Sequence, residues 1–466
     1  MFYISTRDSN QKQHNFIEVL LSGLAPDGGL YVPIEYPKFD SQLNNLRSLN
    51  YSQLALEIMS AFIGECIPKS DLNNIIMQTY HQDIFKSKEI TPVIHLADHI
   101  YIQDLSSGPS LAFKDMAMQF LGHIMDYVLQ KNNQELTIVG ASSGDTVSAA
   151  EEAMRGKRNI NVVMLTPKTG MSPFQKAQAG SILDPNIFNL SVPGPFDTCQ
   201  DLVKELNHDK HFKQKYNIGA VNSINWGRIC AQIVYYFKGY FSVTTHNSES
   251  VDMVVPSGNF GNVLAGYIAK QMGLPIRHLV VATNENRVLD KFIKTGIYQQ
   301  QDVIVTSSPS MDISKASNIE RLFFDLLDRN PSDLNQKMTE FESTKILNLS
   351  HLHEQIKHHL GFISDDSNHY QRSEVIQSVY KTHNYIIDPH TAAAVKAAQT
   401  YRDNTATPMI CLETAKPTKF EDAVTEAIGF TPKRPAGFEN LESKEQRFYD
   451  IDTSVKALKS FIIAHF

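Results

Sequence analysis

A chain of 466 residues has the length of two or three domains. With 42% apolar and 20% charged residues it has the balance of an ordinary soluble globular protein, able to bury a large core without staples. The 43 Lys+Arg against 50 Asp+Glu leave a net charge of -7, which argues against nucleic acid or an anionic membrane as the main partner. A local pocket can still take a small anion.

The stretch Met1 to Asp8 has no basic segment leading into an apolar run, and no segment is apolar for long enough to cross a bilayer. Cys66, Cys199, Cys230 and Cys411 are far apart, without CxxC spacing. That pattern predicts neither a disulfide framework nor a zinc site, and a reducing cytoplasm is the simplest compartment.

In chain order, residues 1–91 mix short helical and loop signals, with an Asp27-Gly28-Gly29 turn into a short strand, Leu30 to Pro33. From about Pro92, short apolar runs alternate with helices. Ala117, Leu121, Ile124 and Val128 recur at helical spacing. Leu136–Val139 and Asn161–Leu165 read as strands, with a Gly/Ser loop and a helix near Val147–Met154 between them. Met253–Val255 leads through a second Gly-rich loop to a helix marked by Leu264, Tyr267 and Ile268; His278–Ala282 and Met409–Leu412 are further strands. Such alternation predicts an α/β fold with mainly parallel sheets. Residues near 330–380 are polar and helix-prone and read as a helical insertion. The stretch Lys433 to Gln446 reads as a charged loop before a terminal helix.

Four segments could carry chemistry. In Ser107-Gly108-Pro109-Ser110-Leu111-Ala112-Phe113-Lys114-Asp115, Lys114 sits at a helix start among apolar neighbours. The helix dipole and burial both disfavour its charge and free the amine as a nucleophile. A surface lysine with its stem on the core fits the same residues. Gly140-Ala141-Ser142-Ser143-Gly144-Asp145-Thr146 lies between a strand and a helix. It fits an anion site at a helix N-terminus, the GxSxG elbow of a serine hydrolase, or a plain turn. In Pro256-Ser257-Gly258-Asn259-Phe260-Gly261-Asn262, two glycines let a ligand approach the backbone and free amides suit a phosphate, although a structural loop fits as well. Asn222, Ser223, Asn225 and Arg228 offer amides, a hydroxyl and a guanidinium for a phosphate, or a capped helix start. His351, His353, His358 and His359 miss the HExxH spacing and read as a solvated face.

Taken together in this order, the segments resemble threonine synthase of the long-chain bacterial and fungal type. The resemblance runs from Ser5-Thr6-Arg7 and Asp27-Gly28-Gly29-Leu30 through the four segments above and Ser172-Pro173. It continues through Ala282-Thr283-Asn284, Met311-Asp312, Asp388-Pro389-His390-Thr391 and Thr414-Ala415-Lys416-Pro417, to about residue 430. It implies a pyridoxal-phosphate (PLP) enzyme of fold type II, similar to tryptophan synthase β, with two α/β domains. The expected division is an N-terminal extension 1–91, a large cofactor domain 92–130 plus 236–430, a small α/β domain 131–235 and a tail 431–466.

The resemblance also implies roles. Lys114 would carry PLP as a Schiff base and move protons. Gly258, Asn259, Phe260, Gly261 and Asn262 would hold the cofactor phosphate. Thr414 would face the pyridine nitrogen. Ser142, Ser143, Asp145 and Thr146 would surround the substrate carboxylate, and Asn222, Ser223, Asn225 and Arg228 are the candidates for the substrate phosphate. The implied reaction turns O-phosphohomoserine and water into L-threonine and phosphate. The neighbouring alternative is a phospho-lyase releasing a 2-oxo acid. A GxSxG hydrolase and a non-catalytic PLP-binding protein are further readings. The expected partner is a small-molecule substrate, with neither nucleic acid nor membrane, for a monomer or small homo-oligomer. Three departures stand out: Ser106-Ser107 replace the family's Phe-His before Gly-Pro, Val147 replaces Gly after Asp-Thr, and Lys416 replaces His in Thr-Ala-His-Pro.

Overall fold

The computed structural model describes residues 1–142, 144–169, 171–402 and 406–466. Strand β1 (Tyr3–Ser5) pairs antiparallel with β2 (Tyr31–Pro33), which follows the Asp27-Gly28-Gly29 turn. Between and after them run the helices Phe16–Ser22 and Tyr51–Ile63, each started by an Asn capping box, at Asn15 and Asn50. Their apolar faces share one core with the helices Asp115–Asn132 and Trp226–Val243, so the N-terminal segment is built into the body of the protein.

The larger sheet opens with the antiparallel pair β3 (Val93–Ala97) and β4 (Ile100–Asp104). The Asp115–Asn132 helix then carries the chain to a second sheet. There β5 (Leu136–Ala141), β6 (Ile160–Pro167), β7 (Ile187–Val192) and β8 (Ile218–Gly219) pair in parallel. The Trp226–Val243 helix returns it to the larger sheet through β9 (Val251–Pro256) and β10 (Ile276–Thr283). Strands β11 (Ile297–Gln299) and β12 (Ile346–Asn348) form a separate antiparallel pair. Strands β13 (Phe362–Asp366) and β14 (Met409–Glu413) complete the order β13-β10-β9-β14-β4-β3, in which only β3 is antiparallel to its neighbour. Finally β15 (Tyr449–Asp450) adds to the second sheet, giving β15-β7-β6-β5-β8. Parallel strands covered on both faces read as unbroken apolar runs, which is why Met253-Val254-Val255, buried throughout, is legible as a strand.

Two segments differ from expectation. The region near 330–380 is not wholly helical: β13 lies inside it, at the edge of the larger sheet. Its Ser364-Asp365-Asp366 half lacks β-formers, and the strand is held by parallel pairing to β10 instead. The tail contributes structure as well. Besides β15, the Val455–His465 helix buries Leu458 and Ile462 in the core of the second sheet.

Every loop singled out in the sequence leaves the C-terminal end of a parallel strand. Residues 105–114 follow β4, 142–144 follow β5, 257–260 follow β9 and Thr414 follows β14. Ligand sites of open α/β sheets form at such ends.

Candidate active site

Backbone pairing places Lys114. Phe113 N–H donates to Thr414 O (2.8 Å), an isolated antiparallel bridge joins Ala112 to Ala415, and Lys416 N–H donates to Leu111 O (3.0 Å). The segment before Lys114 is thus pinned along the exit of β14, and Lys114 is the N-cap of the Asp115–Asn132 helix. Asp115 tightens the turn by accepting from Ser110 N–H (2.8 Å), and Gly108 is required beside it, because a Cβ there would lie 2.5 Å from Asp115 Oδ2. Among the described residues buried Asp115 makes no ion pair, and desolvation, only partly offset by Ser110 and Lys419, pushes its carboxyl up to about 7.

The Lys114 side chain is only 14% exposed, and its Nζ lies 3.3 Å from Asp145 Oδ2. Burial lowers its pKa, Asp145 works against that, and the nearby cations Lys419 and Arg228 add to it. A surface lysine does not describe this group. Asp145 in turn meets Lys419 Nζ at 3.0 Å, Ser310 Oγ at 3.2 Å and Gln175 Nε2 at 3.3 Å. Burial opposes its charge, but Lys419 and Lys114 outweigh that and hold the carboxyl far below the ordinary range. An anion so engaged cannot grip a substrate carboxylate. Ser142 stands before the Asp145–Met154 helix and Thr146 in its first turn. Ser143 lies outside the described residues. Val147 points away from the loop into the main core, fully buried.

The loop after β9 is shaped as a cradle. The N–H groups of Gly258, Asn259, Phe260 and Gly261 donate to no described residue, and the buried Ser257 Oγ also lacks a partner. Phe260 takes a left-handed φ of +64°, strain that the surrounding packing imposes, and a Cβ on Gly258 would lie 2.4 Å from Ser310 O. Asn318 holds the loop from outside, its Nδ2 donating to Asn259 O (3.2 Å) and Ser223 O (3.1 Å). Buried Arg321 donates to Asn318 Oδ1, Ile224 O and Tyr31 O, which ties the cradle to the 222–226 segment and to the N-terminal strand pair. Asn262 sits below the cradle, its Oδ1 accepting from the Tyr235 and Tyr236 hydroxyls.

The 222–228 candidates separate. Arg228 is buried without a hydrogen-bonded or ion-paired partner among the described residues, and desolvation pulls it down to about 10. Asn222 Oδ1 is likewise buried and unpaired. Asn225 is a correction: its Oδ1 caps Gly227 N–H (2.9 Å) and its Nδ2 donates to Leu20 O (2.8 Å), so neither end is open to a phosphate. The Ser223 hydroxyl is spent on Ser317 Oγ (2.8 Å).

The hydrolase geometry is not assembled. Ser142 Oγ accepts from Gly144 N–H, while His390 Nε2 accepts from Ser310 N–H (3.0 Å) and its Nδ1 faces Asp388 Oδ1 (2.7 Å). The imidazole is therefore occupied on both sides and makes no hydrogen bond to Ser142. The histidine-rich segment is on the surface, with Glu354 beside His353 and His358.

Two of the three departures from the family pattern, Ser106-Ser107 and Lys416, meet in one cluster. Lys416 Nζ donates to Asp104 Oδ2 (2.8 Å) and Glu413 Oε1 (2.5 Å). Ser106 Oγ donates to Glu413 Oε1 (2.6 Å), Ser107 Oγ to Asp104 Oδ2 (2.5 Å), and the Tyr385 hydroxyl to Glu413 Oε2. The small serines leave room for the lysine, and the lysine neutralises the carboxylates the serines address.

Open amides at a helix start, a buried lysine of lowered pKa and a Thr414 hydroxyl with no hydrogen bond to a described residue fit a phosphorylated aldehyde cofactor with a ring nitrogen. The fold and this donor set define a PLP-dependent enzyme of fold type II, and the family model "Pyridoxal-phosphate dependent enzyme" matches residues 84–340. "Threonine synthase N terminus" matches residues 2–80 and "Threonine synthase, C-terminal" matches 391–462, further than the motifs alone reach. The chain is 49% identical to the threonine synthase of Methylobacillus glycogenes over 100% of both chains. Its structure is similar to PLP-bound threonine synthase from Brucella melitensis, with TM-score 0.95 and 38% identity over 100% of this chain and 99% of that one. It matches the yeast threonine synthase structure at TM-score 0.94 and 38% identity, over 100% and 98%. The chain belongs to the threonine synthase family.

Proposed function

We propose that the chain converts O-phosphohomoserine and water to L-threonine and phosphate, with PLP carried on Lys114. The observation that carries this reading is the buried, unpartnered Arg228 beside Lys114. An unpaired buried guanidinium costs stability unless an anion completes it. A substrate with a phosphate supplies that anion.

When bound, the cofactor supplies an electron sink for the carbons next to the substrate amine. The amides of Gly258 to Gly261, with Ser257 beside them, hold its phosphate, and Thr414 offers its ring a neutral hydroxyl. The start of the Asp145–Met154 helix, with Ser142 and Thr146, binds the substrate carboxylate. Arg228 and Asn222 take the substrate phosphate and stabilise its charge as it leaves Cγ. Lys114 Nζ moves the protons at Cα and Cβ, its lowered pKa suiting it to both directions, and once phosphate has left, Cγ takes a proton and water adds at Cβ.

Product analysis tests the reaction. With PLP and O-phosphohomoserine, threonine and phosphate should appear in equal amounts. A 2-oxo acid with ammonia as the main product would favour the phospho-lyase reading. Val147, one of the three departures from the family pattern, is fully buried in the main core, which ties it to packing.

The four-part division at 91, 130, 235 and 430 belongs to the same reading, supported by two separate sheets, the tail joining the smaller one. So do a cytoplasmic location and a monomer or small homo-oligomer; light scattering checks the latter. Among the described residues no helix is long and apolar enough to cross a membrane.

A further inference from the structure

Lys419 belongs to none of the motifs. It lies on the single turn Pro417–Phe420, just beyond Thr414-Ala415-Lys416, and its side chain is completely buried. All of its donors are used: Ser110 O at 2.7 Å, Gln178 Oε1 at 2.8 Å and Asp145 Oδ1 at 3.0 Å. Ser110 is on the loop that delivers Lys114. Gln178 and Asp145 follow strands of the smaller sheet, while Lys419 itself follows β14 of the larger one. Gln178 Nε2 also donates to Ser110 O (3.0 Å), closing a ring of contacts.

We infer that Lys419 is a positioning residue: one buried ammonium fixes the Lys114 loop against the smaller sheet and turns Asp145 so that one of its oxygens faces Lys114. The inference rests on the reading of Lys114 as the cofactor lysine. The two oxygens of Asp145 are divided, Oδ1 to Lys419 and Gln175, Oδ2 to Lys114 and Ser310. Without Lys419 only the neutral Gln175 amide holds Oδ1, and Lys114 is left as the one cation paired with the carboxylate.

The charged groups around this pair define the sign of the effect. Lys114 faces Asp145 from the Asp145–Met154 helix, Lys419 from its turn and Arg228 from the Trp226–Val243 helix. Asp145 faces both lysines and His390 of the Pro389–Tyr401 helix, and Lys419 also acts on Asp115. Taking away the Lys419 charge removes a repulsion from the Lys114 ammonium and leaves it a less divided counterion. Both changes raise the pH at which Lys114 becomes a free amine. Replacing Asp145 by a neutral amide does the reverse.

The test reads the reactivity of the Lys114 amine directly, without substrate. Cofactor-free protein is mixed with PLP at a series of pH values, reduced with borohydride at early times, and the labelled peptide is quantified by mass. In Lys419→Met the midpoint of Lys114 labelling should move up in pH, each unit lowering labelling at neutral pH about tenfold. Lys419→Arg, which keeps the charge, should restore the midpoint. In Asp145→Asn it should move down, which keeps the inference open to refutation if Lys419→Met does not fold. A loss of stability alone would shift none of these midpoints. Label on Lys114 with unchanged midpoints in Lys419→Met or Asp145→Asn overturns the inference. Label on a different lysine overturns the cofactor reading and this inference with it.

Discussion

Two buried clusters sit on either side of Thr414, made of the same residue types but balanced in opposite ways. On one side Lys114 and Lys419 meet one carboxylate, Asp145, and the Arg228 guanidinium lies near enough to Lys114 to oppose its charge. On the other, a single Lys416 meets two carboxylates, Asp104 and Glu413, with Ser106, Ser107 and Tyr385 filling the remaining bonds. The second cluster is closed. Burial alone would raise Asp104, but Lys416 holds it below the ordinary range, while burial keeps Glu413 above its own. The first has cations to spare, which on the proposed reading anionic ligands complete together with the open amides of residues 258–261. On the proposed reading, unmet donors mark the site that binds, and fully met ones mark the cluster that holds the backbone in place.

The comparison breaks most severely at Lys114. Lys114→Ala should abolish trapping of PLP and lower turnover about 10³-fold or more, read by steady-state phosphate release. Lys416→Met should do the opposite in kind: it strands two buried carboxylates and should cost about 3–5 kcal/mol of stability in chemical denaturation. PLP should still label Lys114 in the folded fraction. Arg228→Met tests the open cluster. Loss of one charged hydrogen-bonding group should weaken O-phosphohomoserine about 10- to 100-fold, read as KM. The same change should raise the melting temperature of ligand-free protein, because an unpaired buried charge is gone.

A smaller effect comes from Asp115. Its folded pKa, about 7, lies above the ordinary carboxyl value, so its contribution to stability is fully present at low pH and fades as pH rises towards 7. Asp115→Asn should flatten that part of the stability curve between about pH 4 and 7, read by thermal melts across pH. A slope unchanged by the substitution would assign it to other groups.

How much of this was legible in the sequence depends on how local each feature is. Lys114, the 257–261 cradle and the alternating strands are local patterns of a loop between a strand and a helix, and they stand where expected. Lys419 could not be read this way, because its partners Ser110, Asp145 and Gln178 are brought to it by tertiary structure, hundreds of positions away in the chain. Arg321 and Asn318, which brace the cradle from outside, were missed for the same reason. Asn225 was misread because an N-cap and a phosphate ligand call for the same amide, and only its bonds to Gly227 and Leu20 distinguish them. The polar edge strand β13 carried too weak an apolar pattern to stand out. The one signal that pointed to the closed cluster was its joint departure from the family pattern at Ser106, Ser107 and Lys416, which proved to be neighbours in space.

Three lysines of these two clusters, Lys114, Lys416 and Lys419, compete for the role of cofactor carrier, and their surroundings assign it to one of them. Incubation with PLP at neutral pH, borohydride reduction and peptide mapping decide the matter directly. The charge balance of the two clusters predicts label on Lys114, with Lys416 and Lys419 unmodified. Label on Lys416 or Lys419, with Lys114 untouched, would contradict it.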